Sequence, residues 1–194
     1  MKRAVFSLIV LMAFAAPAHA QNGNAASSRS LNFGNVLAPA AASNARGFTV
    51  MANVGVGFEH DFFYGGAAGL AGSPVNFGIG GFITPKMAIL GRFSGTVVEF
   101  SDAGISQTSG VIGATLQYWL NSRLAVEAGG GIGSWSDETG ASDASGGLIL
   151  GVSYIVWEHG AHHLVAGAEY APVFTDGKVH NVGITFGYQF FRRR

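Results

Sequence analysis

The sequence predicts an all-β fold, a closed antiparallel eight-stranded transmembrane β-barrel. Three observations carry that expectation. Apolar residues alternate with polar or small ones through eight successive segments, charges fall at the segment ends, and no long unbroken apolar run follows residue 20. Alternation at period two marks a strand with two unlike faces. In lipid such a strand shows only every second residue to the hydrocarbon. This reconciles 48% hydrophobic residues with the lack of a helix-length apolar stretch. Charged residues make up 11% of the chain, about half the usual ~25% of soluble domains, and the 30 glycines are about twice the usual share. The length of 194 residues allows one ordinary domain.

The chain divides into four parts. Residues 1–20 read as a signal peptide: Lys2 and Arg3 form a charged start, Val5 to Ala16 an apolar stretch, and Ala18-His19-Ala20 a small-x-small cleavage site. A membrane-anchoring helix is the alternative, but the stretch is short for one. Residues 21–46, rich in Ala, Ser and Asn, read as a flexible periplasmic lead-in. Residues 47–191 are the barrel, and 192–194 a basic tail. Without Lys2 and Arg3, 9 basic residues face 11 acidic ones, which argues against a nucleic-acid partner. No cysteine is present, so disulfides, thiolate metal sites and a lipidated N-terminal cysteine are excluded.

The first strand is the clearest. Phe48, Val50, Ala52, Val54, Val56 and Phe58 share one face, and Thr49, Met51, Asn53, Gly55, Gly57 and Glu59 the other. The second apolar face is Val75, Phe77, Ile79 and Ile83, and the third Met87, Ile89, Phe93 and Val97. Ile112, Ala114, Leu116, Tyr118 and Leu120 form the fourth, and Leu124, Val126, Ala128 and Ile132 the fifth. Leu148, Leu150, Val152, Tyr154 and Val156 form the sixth, followed by Leu164, Ala166, Ala168 and Tyr170. Val182, Ile184, Phe186, Tyr188 and Phe190 complete the set. Closure of an even number of strands removes the unpaired edges that lipid does not tolerate.

Connections alternate in length. Thr84-Pro85-Lys86, Asn121-Ser122 and Glu158 to His162 are short, which marks the periplasmic side. Residues 60–74, 101–106 and 136–145 read as longer outer loops, and Thr175-Asp176-Gly177-Lys178 as a tight Asp-Gly turn. The outer ends hold Glu59, Asp61, Glu99, Asp102, Asp137, Glu138, Asp143 and Asp176 against Lys178. The periplasmic side holds Arg29, Arg46, Lys86, Arg123, Arg192, Arg193 and Arg194 against Glu158. Arg92, Glu127 and Glu169 remain, all at inward positions, so no charge falls mid-strand on the lipid face. There an Arg or Lys would cost about 2–4 kcal/mol. A soluble lipocalin-like barrel also has eight alternating strands, but it would need the apolar face inside. Here the Gly-rich polar face is the one that must turn inward.

The last strand carries a motif. Asn181, Gly183, Phe186 and Tyr188 stand in the order polar, Gly, aromatic, aromatic, which resembles the terminal signal of bacterial outer-membrane proteins. In that family the chain usually stops at an aromatic residue, whereas here Phe190-Phe191 is followed by three arginines. With the leader and the strand count, residues 47–191 resemble the small eight-stranded barrels typified by the OmpA transmembrane domain and OmpX. The resemblance implies the cell outer membrane as location, outer-membrane lipid as surroundings, and the barrel-assembly machinery as a partner in biogenesis.

Arg92, Glu127 and Glu169 are the principal candidate site, an interior polar network on the third, fifth and seventh strands. An eight-stranded barrel is just wide enough inside for side chains, and a buried Arg costs far less beside carboxylates. Two roles fit: a static plug, or a gate or ion-conducting lining joined by Gln117, Thr185 and Gln189. The inward glycines likewise fit either tight closure around neighbouring side chains or a thin water-filled pore. Met51, Phe82, Trp119 and Trp157 are expected to point inward and refill the space. His159, His162 and His163 with Glu158 raise a metal reading, but no second ligand set accompanies them, and no metal or cofactor is expected. Lipid A deacylases use a His-x-Ser pair with a Glu; here Leu164 and Val165 follow the histidines, so no catalytic residues are assigned. The sequence thus favours a non-enzymatic structural or surface-interaction barrel with acidic outer loops, with a narrow passive pore as alternative and a lipid-modifying enzyme third.

Overall fold

The computed structural model describes residues 45–61, 67–100, 105–176 and 179–193. The expected leader, nearly all of the lead-in and Gly177-Lys178 lie outside them. Eight strands follow in order: β1 (Ala45–Asp61), β2 (Ala67–Thr84), β3 (Met87–Phe100), β4 (Ile105–Trp119), β5 (Leu124–Asp137), β6 (Ser142–His159), β7 (His162–Tyr170) and β8 (Val179–Arg193). Each pairs antiparallel with the next, and β8 returns to pair with β1, so the sheet is a closed barrel.

The expected outward faces hold. Val54, Ile79, Ile89, Ile112, Val126, Leu150 and Phe186 all point outward and are exposed. Ile184 is 69% exposed and Val56 67%, values that would be costly against water and are favourable against hydrocarbon. Thr49, Met51 and Asn53 on β1 are buried inside.

Three features depart from the sequence reading. First, the strands outrun the apolar belt. Residues 60–74 are largely strand, because the β1–β2 ladder continues to Asp61 opposite Ala67. Likewise Phe100 pairs with Ile105, and Ser136 with Ser142. Backbone pairing needs no particular side chain, so polar and Gly-rich stretches extend the wall without showing a hydrophobic period. At the other end, Arg192 and Arg193 belong to β8 rather than to a tail.

Second, Trp157 points outward, 51% exposed. A register shift between Ile155 and Trp157 in the β6–β7 ladder supplies the reason. The extra residue of a bulge turns the chain over, so Ile155 is buried inside while Trp157 faces out and stacks on His159.

Third, β7 is only nine residues long. Pro172 has no N–H to donate and interrupts the ladder. The pairing then resumes in the same register, with Val173 opposite both Gly147 and Val179. Alternation resumes beyond the break: Ala171, Pro172 and Val173 are all buried, then Phe174 is exposed and Thr175 buried. The other proline of an outer half-strand, Pro74, falls where β2 slips register against both neighbours, between Gly72 and Val75.

Two apolar clusters bound the interior. Trp119, Ala125, Ile155, Val165 and Phe191, with Phe82 packed against them, form a floor at the short-turn end. Val111, Trp135, Ile149, Val173 and Val179 form a second cluster toward the outer hairpins.

Candidate functional site

Between the two clusters the interior is polar, and the structure brings Arg92, Glu127 and Glu169 together there. Their strands are not neighbours, so only closure of the sheet places them across from one another. Arg92 Nε donates to Glu127 Oε1 at 2.6 Å, and its Nη2 to Glu169 Oε2 at 2.6 Å. All three side chains are more than nine-tenths buried. Thr115 Oγ1 adds a hydrogen bond to Glu127 Oε1 at 2.6 Å, and Ser94 Oγ donates to Glu169 Oε1. A guanidinium satisfied by two carboxylates, which are held in turn by hydroxyls, is the arrangement that makes buried charge tolerable.

The inward glycines serve two ends: Gly55, Gly80, Gly113 and Gly131 let the backbone of a neighbouring strand come close, whereas Gly78 makes room for side chains. A Cβ there would come within 2.8 Å of Arg92 Cδ and 2.9 Å of Met51 Cγ. Gly133 and Gly147 make room in the same way for Val173 and Val111 of the outer cluster. The volume these glycines release is taken up by neighbouring side chains.

Two further polar layers flank the Arg92 cluster. Toward the floor, Gln189 Nε2 donates to Gln117 Oε1 at 2.9 Å and to Thr49 Oγ1 at 3.2 Å. Thr185 is buried in the same interior. Toward the outside, Ser109 Oγ donates to Glu59 Oε2 at 2.6 Å, and Asn181 Nδ2 to Ser109 Oγ at 2.9 Å and Ala171 O at 3.2 Å. Glu59 is 0% exposed. The sequence reading grouped it with the acidic outer ends; it is a fourth interior charge. Its inward parity on β1 was the available signal. Ser94, Ser109 and Thr115 were findable the same way, as polar residues on inward positions.

The histidines do not assemble. His162 and His163 are adjacent on β7, so their side chains leave opposite faces. His162 hydrogen-bonds Tyr188 outside at 2.5 Å, whereas His163 is buried in the floor, stacked on Phe191 with ring centroids 4.0 Å apart. Among the described residues no three His, Cys, Asp or Glu side chains are placed to hold a metal ion. Of the terminal motif, Asn181 and Gly183 point inward, while Phe186 is exposed outward and Tyr188 carries the His162 contact.

No family model and no curated protein matches the sequence. Solved structures do match in fold. Ail, the attachment invasion locus protein of Yersinia pestis, superposes with a TM-score of 0.57 at 16% identity, over 73% of this chain and 98% of that one. Neisserial surface protein A gives 0.50 at 19% identity, over 75% and 97%. At these identities the likeness is one of fold, and it is the fold of small outer-membrane barrels.

Proposed function

We propose that this chain is an outer-membrane β-barrel protein whose body is a closed structural anchor and whose interactions are made at its outer hairpins, without enzymatic activity. The filled interior carries the reading. An apolar floor closes the short-turn end, hydrogen-bonded polar layers stack above it with the outermost beside the second apolar cluster, and the void beside Glu169 measures about 10 Å³. That is room for about one water, not for a solute path. The outward apolar face supports the membrane setting, since its side chains lie where lipid would cover them. Asp137, Glu138, Asp143 and Asp176 then stand at the outer ends, available to a surface partner. The terminal motif Asn181, Gly183, Phe186 and Tyr188 supports delivery by the barrel-assembly machinery.

A narrow passive pore is the second reading, favoured by the polar middle of the interior. Conductance of the refolded chain in planar bilayers separates the two. The anchor reading expects no steady open state. A reproducible open level across independent preparations would overturn it, and Arg92→Ala would then show whether the Arg92 network sets that level.

A further inference from the structure

The barrel is polarised in charge from end to end. At the short-turn end the sequence places Arg46, Lys86, Arg123, Arg192, Arg193 and Arg194 against one acid, Glu158, whereas Asp137, Glu138, Asp143 and Asp176 stand at the outer end. Lys86, Arg123 and Arg192 are at least partly exposed, and none of the three joins an ion pair among the described residues. The charge is densest at the β1–β8 seam. Register sets Arg46 opposite Arg192 and Ala45 opposite Arg193. Like charges placed directly opposite each other destabilise a strand pair. An anion held there would reverse that cost.

Depth decides which anion. Arg192 shares the outward face of β8 with Ile184, Phe186, Tyr188 and Phe190, and its side chain is exposed. Ile184 marks the middle of the apolar belt, and Arg192 lies eight residues farther along. At about 3.3 Å per residue and a strand tilt of about 40°, that is roughly 20 Å along the membrane normal. The apolar band is about 25 Å tall, so Arg192 stands roughly 8 Å beyond its edge, in the headgroup layer. Phe48 and Phe190, with ring centroids 6.2 Å apart, and the hydrogen bond between His162 and Tyr188 line the boundary just above it.

We infer that the basic rim at the short-turn end binds the headgroups of anionic phospholipids, with Arg192 as the contact nearest the hydrocarbon. A guanidinium offers phosphate a planar fork of N–H donors. The sideways aim of Arg192, out of the wall, suits a lipid beside the barrel better than a protein docked under its end. Such binding takes place on the lipid-facing wall and leaves the interior as it is.

Trp157 supplies the probe. The chain has three tryptophans, of which Trp119 and Trp135 are buried inside. Trp157 faces lipid, level with Leu164 and, one strand on, Tyr188. The full chain is refolded in phosphatidylcholine vesicles containing phosphatidylglycerol, with one of the two lipids brominated on its acyl chains. At low salt, brominated phosphatidylglycerol is expected to quench Trp157 as though enriched roughly fivefold, the factor for one basic contact worth about 1 kcal/mol. The preference should approach parity at about 1 M salt, where the Debye length is about 3 Å. It should also approach parity in a variant combining Arg46→Gln, Arg192→Gln, Arg193→Gln and Arg194→Gln, with the folded gel mobility retained. Quenching by brominated phosphatidylcholine alone separately checks that Trp157 meets lipid. Equal quenching by the two lipids at low salt in the parent chain would overturn the inference. So would a preference that salt leaves unchanged, or one that survives in the quadruple variant.

Discussion

Replacing Arg92 with alanine removes the one guanidinium that two buried carboxylates share. Both contacts are 2.6 Å, and each partner is more than nine-tenths buried, so solvent does little to screen the loss. Glu127 keeps its bond from Thr115 and Glu169 its bond from Ser94, but neither hydroxyl brings charge. Removing one partner of such a pair costs about 3–5 kcal/mol. With a urea slope of about 2 kcal/mol/M, the unfolding midpoint should fall by roughly 1.5–2.5 M. The assay is urea unfolding in lipid vesicles, with folded protein read from its shifted mobility on unheated gels. Arg92→Met combined with Glu127→Gln and Glu169→Gln supplies the control. It removes the charges together and should recover most of the loss, since no buried carboxylate is left without its cation. An Arg92→Ala midpoint within about 0.5 M of the parent, a loss near 1 kcal/mol on that slope, would refute the reasoning. A triple variant weaker than the single one would refute it equally.

Ile184 lies midway along the outward face of β8, four residues from Tyr188 and four from His180, so Ile184→Arg should cost about 2–4 kcal/mol in lipid vesicles. If that face met water the same change would be nearly neutral, and the same urea titration distinguishes the outcomes. Trp119→Ala should cost about 3–5 kcal/mol, because it empties a fully buried position whose ring packs on Phe191 at 5.1 Å. Thermal unfolding in detergent checks it, and a midpoint unchanged within error would mean the floor does not act as packed core.

The strand faces were legible because lipid and interior impose opposite chemistry on alternate residues. Ile112, Leu116 and Tyr118 announce β4 without any help from neighbours. The Arg92, Glu127 and Glu169 set was legible by elimination, as the charges left over after the rest sorted to the ends. Glu59 escaped the same logic. Its parity on β1 marks it as inward, but it sits where β1 passes the apolar belt, so the sorting of charges by strand end groups it with the outer acids. Trp157 was misplaced because parity arguments assume unbroken pairing, and a single bulge reverses every side chain beyond it. The outer extensions of β1 and β2 were unreadable for a different reason: residues 67–74 are mostly Gly, Ala and Ser, so their pairing leaves no hydrophobic trace. The bonds of the interior, such as Asn181 to Ser109 across 72 positions, depend on barrel closure and register, which no local pattern encodes.

The claim that the interior is closed is tested most directly by thiol accessibility, since the chain has no cysteine of its own. Thr185→Cys places a thiol at a buried inward position in mid-barrel, and Ser136→Cys places one at an exposed position on an outer hairpin. In vesicles, a charged membrane-impermeant thiol reagent should label Cys at 136 readily and leave Cys at 185 unlabelled until urea unfolds the barrel. Labelling of position 185 in the folded protein at a rate near that of position 136 would contradict the closed interior.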